Sequence, residues 1–298
     1  MLPARIANHG SWQDDMRIRV LILSISVLVI CSQLAIAQDE DVLGLLRLGR
    51  FQSIETKFSN IQAGFEKGLV TEFDLLDMYK VFYQREDNFR IELNAWIKAY
   101  PKSPSAYLAR GVYFRKLGEF RRGTNYISQI PPEHLSYMQQ MFDLAKKDLE
   151  MSLHLNPKSY LSVLHLLNIA QFEGNDEAAN TYLRLGNSLL PSNFLVRARY
   201  LIHLTPRWGG SYQNMEEFIA QCQTEGVDLG QIALLRAIEL EDKGVVLAEQ
   251  GNKGQARSRY LDALRLSISG GSRFRRDYLK ASIALCAEPE HRSNEYCQ

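Results

Sequence analysis

Arg207 and Trp208 are the side chains of this sequence best suited to recognise a ligand. They stand together in the run Pro206-Arg207-Trp208-Gly209-Gly210-Ser211-Tyr212. A guanidinium presents a planar fork that matches a carboxylate with two parallel hydrogen bonds. The neighbouring indole and the Tyr212 ring supply flat apolar surface, and two consecutive glycines let the backbone approach another element closely. Arg207, Trp208 and Tyr212 are therefore the candidate binding residues. The same run also has a purely architectural reading, in which Trp208 fills a gap between helices and Arg207 stacks on an aromatic ring or caps a helix end.

Catalytic chemistry has weaker support. Past residue 37 the histidines are His134, His154, His165, His203 and His291, and none stands in a tight metal-ligand spacing such as H-E-x-x-H. His154 and His165 could meet only across a helix turn. Ser211 follows two glycines but lacks the G-x-S-x-G frame and the preceding strand of a nucleophile elbow. No glycine-rich loop ends in Lys-Ser or Lys-Thr, so no nucleotide cradle is expected. Glu239, Glu241 and Asp242 lie close on one helix and read as a solvated face. The sequence thus predicts no catalytic residues, no metal and no cofactor, and an enzyme is the less favoured class.

The N-terminus bears on compartment. Arg17 and Arg19 precede an apolar stretch from Val20 to Ile30, followed by Ala35-Ile36-Ala37. This order reads as a secretory signal peptide over residues 1–37, with the true start near Met16. The apolar run is shorter than the roughly 20 residues needed to span a bilayer. The expected location is periplasmic or secreted in a bacterium, with no integral membrane segment after cleavage. An oxidising compartment favours a disulfide, and Cys286 with Cys297 would close a short loop, leaving Cys222 as a buried thiol. Residues 1–37 hold three arginines and two aspartates against chain totals of 35 basic and 34 acidic residues, so the remainder is electrically balanced. A balanced chain has no long-range field to gather nucleic acid.

The elements that must position these residues are helical. Pro157 and Pro191 lie 34 residues apart, the tetratricopeptide period. Between them, Val163, Leu166, Leu167 and Ala170 lead through Gly174-Asn175-Asp176 to Ala179, Leu183 and Gly186. Thr71 with Asp74 predicts a capping box, and Ser103-Pro104 predicts a helix start. Gly49, Gly118, Gly174 and Gly251 read as turns between helices, with a further helix expected from about Phe274 to Cys286. The spacing of those glycines is uneven. The reading is an all-α, irregular tetratricopeptide-like stack of antiparallel helical pairs over residues 38–286, followed by a polar tail over 287–298.

Four stretches carry a resemblance: Leu45 to Phe51, Ala109 to Phe114 with Arg121-Arg122-Gly123, the helix end from Leu153 to Pro157, and Pro206-Arg207-Trp208-Gly209-Gly210-Ser211. Through these the chain resembles a bacterial domain-of-unknown-function family built on tetratricopeptide-like helices, over about residues 43 to 220. The resemblance implies fold and carries no activity. The expected function is an exported, non-catalytic helical-repeat scaffold for a protein or peptide partner, the groove between paired helices being its binding surface. The alternative is an enzyme or small-ligand receptor with a pocket near Trp208.

Overall fold

The computed structural model describes residues 41–123 and 127–269. The signal peptide, the helix expected from Phe274, the polar tail and the Cys286–Cys297 pair lie outside the described residues. Within them the chain is all-α, with twelve α-helices and no strand. No helix among the described residues is long and apolar enough to cross a membrane.

The chain divides into two compact units at Arg50 and Phe51. In the first, α1 (Val42–Arg47) starts where the Asp41 carboxylate accepts a hydrogen bond from the Leu43 N–H, and Gly49 in a left-handed conformation closes it. The second unit holds α2 (Phe51–Glu66), α3 (Glu72–Tyr79), α4 (Arg90–Ala99), α5 (Pro104–Arg122), α6 (Pro132–Leu155) and α7 (Tyr160–Glu173). It continues with α8 (Asp176–Leu189), α9 (Leu195–His203), α10 (Tyr212–Thr224), α11 (Leu229–Glu249) and α12 (Lys253–Ser269).

Local chemistry sets most boundaries. Thr71 and Asp74 form the expected capping box, each side chain satisfying the other's backbone N–H at the start of α3. Ser103 accepts from the Ala106 N–H ahead of Pro104, and Asn175 accepts from the Ala178 N–H to open α8. Gly174 ends α7 in a left-handed turn. Pro157 and Pro191 thus bracket two real helices, α7 and α8.

One boundary differs from expectation. Gly118 is no turn, and α5 runs through it to Arg122 before Gly123 ends it at φ 74°. Gly118 is instead where α5 crosses α6. A Cβ there would sit 2.9 Å from a Phe142 ring carbon and 3.2 Å from the Met138 carbonyl oxygen. Gly111, two turns earlier, would meet Leu149 at 2.8 Å and the Ala145 carbonyl at 3.3 Å. Contacts that run forward on α5 and backward on α6 make the pair antiparallel, with backbones unusually close.

Helix α7 is the hub, buried on every side from Tyr160 to Gln171 and packed against α5, α6, α8 and α9. An aromatic cluster of Phe58, Tyr79, Phe82 and Trp96 welds α2, α3 and α4 together, and the Trp96 indole N–H donates to Glu55 at 2.9 Å. The two regions are tied by Glu72. Its buried carboxylate accepts from the Tyr160 hydroxyl at 2.5 Å and from the Phe194 and Leu195 N–H groups at 2.7 and 3.1 Å. Helix α9 has no side-chain cap at its own N-cap residue. Glu72, on α3, stands in for it from 122 positions away in the chain.

Candidate functional site

The Pro-Arg-Trp-Gly-Gly-Ser run forms one tight turn between α9 and α10. Pro206–Trp208 is a single turn of 3-10 helix, Gly209 leaves it at φ 91°, and Ser211 accepts from the Asn214 N–H to start α10. Gly210 lies against the end of α9. A Cβ there would fall 2.1 Å from the Leu204 carbonyl oxygen, a separation that no side chain tolerates. Both glycines are therefore required by the backbone path, and the turn sets Trp208 at a fixed place.

Trp208 meets Phe172 of α7 edge to face, with ring centroids 5.1 Å apart. The guanidinium over this pair comes from Arg122 at the end of α5, 5.4 Å from the Phe172 centroid and 5.6 Å from that of Trp208. Arg207 takes a different place. It points toward Glu249 at the end of α11, 3.5 Å away, with both side chains close to half exposed. Tyr212 turns to α11, donating to Asp242 at 3.0 Å beneath the Lys243 ammonium. Burial, and then the Asp242 charge, raise its phenol above the ordinary range.

Arg122, Arg207, Trp208 and Phe172 line a cleft of about 690 Å³. Ile127, Leu135 and Met138 give it apolar lining, and Gln171, Glu173 and Glu249 add polar groups. Glu173 is held by Lys146 at 2.7 Å and Gln139 at 2.9 Å, both on α6. Two of the three candidate binding residues, Arg207 and Trp208, therefore share this cleft, and Tyr212 does not line it. Sequence reasoning missed Arg122 and the lining from Ile127 to Met138. Arg122 adjoins Arg121, and nothing local distinguishes the two.

A second polar group lies inside, where α5, α7 and α9 meet. Arg115 and Lys116 share the Glu119 carboxylate, Arg115 on one oxygen and Lys116 on the other at 2.6 Å. Burial acts to raise the Glu119 carboxyl, and the two cations hold it below its ordinary value. Arg199 of α9 donates to the Gln171 side-chain oxygen at 3.1 Å. His165 is 1% exposed, and neither ring nitrogen has a hydrogen-bond partner. Burial, reinforced by Arg115, Lys116 and Arg199, keeps this imidazole neutral by pushing its pKa far below 6.5. His154 is exposed near the end of α6, so the two histidines do not meet.

As pH falls below about 6.5, the unfolded chain gains a proton on this histidine and the folded chain does not. Stability should therefore drop by up to about 1.4 kcal/mol per pH unit from this group, on top of other titrations. Urea unfolding of the wild type and His165→Gln between pH 7 and 5 checks it. The variant should lose less stability over that interval, and parallel curves would remove the assignment.

The acidic run on α11 also differs from its reading as a solvated face. Glu239 and Glu241 are buried, and Glu239 pairs with Lys243 at 2.5 Å. Cys222 is a buried free thiol, raised to about 11 chiefly by burial. Among the described residues no cluster of three metal-ligating side chains is present.

Residues 133–240 match the model of a family described as a domain of unknown function (DUF4034). The match runs from α6 into α11 and includes the Trp208 turn; the resembling stretches at Leu45 to Phe51 and Ala109 to Gly123 fall outside it. No curated protein and no solved structure matches the chain.

Proposed function

We propose that the protein is an exported, non-catalytic binding module that receives part of a protein or peptide partner in the cleft beside Trp208. The observation that carries this reading is the cleft's construction. An aromatic pair is fixed by a glycine-dependent turn, with a guanidinium over it and apolar side chains lining the same cleft. Such a surface suits an aromatic or aliphatic side chain flanked by acidic groups. The antiparallel pairing of α5 with α6 supports the same reading, since grooves between helical pairs take extended or helical segments. Export rests on the sequence of residues 16–37 alone.

A small-ligand receptor at the same cleft is the second reading, favoured by a volume within the range of small-molecule sites. A photocrosslinking side chain placed at Ser128 in the cleft, with one at the exposed Arg236 as control, separates the two. The module reading expects discrete protein adducts from Ser128 alone, lost when Trp208→Ala is added. An adduct of only a few hundred daltons would favour the receptor, and equal adducts from both positions would sink both readings.

Arg207→Ala refines the test. An exposed ion pair contributes less than about 1 kcal/mol, so the melting temperature should stay within a few degrees while crosslinking weakens. A large loss of stability would return Arg207 to a structural role.

A further inference from the structure

The junction of α5, α7 and α9 contains more positive charge and more unanswered donors than a closed helical core requires. Arg115 and Lys116 are two cations on one carboxylate, and the Arg115 side chain is only 3% exposed. The Nε of Arg115 and the side-chain nitrogen of Gln171 are buried without acceptors, and both His165 ring nitrogens are buried without partners. Leaving buried polar groups unanswered is costly, and a buried charge in excess of its counter-charge is costlier still. Hydrogen-bond donors predominate among the unanswered atoms, since Arg115 Nε and Gln171 Nε2 only donate and a neutral imidazole donates once. What such a set lacks is a negatively charged group with several acceptor oxygens.

The junction reaches the surface at Lys116. Lys116 is 20% exposed and lies over the Tyr83 ring at 4.5 Å, with the Phe120 ring 5.9 Å away. On the same Phe120 ring, 4.5 Å from its centroid, rests the exposed guanidinium of Arg85. Cations therefore run from the surface at Arg85 through Lys116 to Arg115, an order that would draw an anion inward.

We propose that this junction is a binding site for an oxyanion, a phosphate group or the carboxylates of a small diacid, held by Arg115, Lys116, Gln171 and His165. The bound oxygens accept from Arg115 Nε, from the Gln171 amide, from the protonated nitrogen of neutral His165 and from the Lys116 ammonium. Arg199 fixes the Gln171 amide by donating to its oxygen, which leaves the amide nitrogen to face the ligand. The site adjoins the Trp208 cleft, which Gln171 also lines, but its test does not depend on what that cleft binds.

Thermal unfolding of the full chain at pH 7 and constant ionic strength tests it, with chloride replaced by inorganic phosphate in one arm and by succinate in another. A ligand that binds only the folded state raises the melting temperature in proportion to the logarithm of its concentration above Kd. At least one anion should raise it by several degrees, and Lys116→Met should abolish the rise. A response to phosphate alone assigns a phosphate group; a response to succinate alone assigns a diacid. A second measurement needs no variant. Burial and the neighbouring Arg115 lower the Lys116 ammonium below its ordinary value, so an amine-acylating reagent should modify it, and the effective anion should slow that modification at least about fivefold by occupancy. Equal melting temperatures in chloride, phosphate and succinate, or acylation of Lys116 unchanged by either anion, would overturn the proposal.

Discussion

Glu72→Ala should be among the most destabilising single substitutions in this protein, costing about 3 to 5 kcal/mol. The carboxylate answers three buried donors at once: the Tyr160 hydroxyl and the Phe194 and Leu195 N–H groups. Truncation leaves the Phe194 and Leu195 N–H groups without their acceptor and the Tyr160 hydroxyl proton stranded beside them, while the Arg197 N–H keeps the Asn193 side-chain oxygen. A helix N-terminus buried without partners is among the least tolerated arrangements in a core. Arg197, whose charge favours the Glu72 carboxylate, also loses its counterpart. In a chain of this size the loss is roughly 10 °C in Tm. Two controls give the number meaning. Glu72→Gln keeps one carbonyl acceptor and should recover part of the loss, and Tyr160→Phe removes one of the three donors and should cost about 1 to 2 kcal/mol. A Glu72→Ala variant within about 1 kcal/mol of wild type would show that water replaces the carboxylate, and the proposed tie between α3 and α9 would fail.

The second large effect is at the crossing of α5 and α6. Alanine is the better helix former, favoured over glycine by about 1 kcal/mol in an exposed helix. At Gly118 and Gly111 the sign should reverse. The added methyl at Gly118 meets Phe142, which is fully buried and has nowhere to go, and the Met138 backbone, which can move only with α6. Overpacking of this kind costs about 1 to 3 kcal/mol after the propensity gain is spent. Gly111→Ala should behave alike against Leu149 and Ala145. The two sites are about 10 Å apart along the helix, far enough for separate losses to add. A double variant that loses much less than the sum would mean that one substitution already separates the helices and makes room for the second. Chemical denaturation of the three variants decides it, and a stabilised Gly118→Ala would remove the close crossing altogether.

What was legible in the sequence divides by distance along the chain. The caps at Thr71 and Ser103 were readable because donor and acceptor lie within three residues, so composition alone determines the bond. The α7 and α8 pair was readable because prolines and Gly174 punctuate it. Gly118 was misread since Gly-Glu-Phe makes an acceptable turn locally, and the side chain that demands glycine there, Phe142, is 24 residues downstream. The same limit hid the aromatic stack at the cleft. Arg207 adjoins Trp208 in sequence, yet the cation on the ring is Arg122, brought there by the end of α5. The acidic run on α11 looked solvated, and only packing reveals Glu239 and Glu241 as buried. Of the binding residues, the run around Trp208 was visible through its two glycines, and the rest of the lining left no signal because Ile127, Leu135 and Met138 are ordinary apolar side chains.

The Glu72 tie has a consequence for where this architecture begins and ends as an inherited unit. The segment that matches a known family starts at residue 133, after both the carboxylate that completes α9 and the glycine face that receives α6. A fragment cut at those limits would open the first turn of α9 to solvent and bare the Phe142 and Leu149 side of α6. The matched segment and the packed unit therefore have different borders in this chain, and a transplant of the Trp208 cleft into another protein should carry the α2 to α5 segment along.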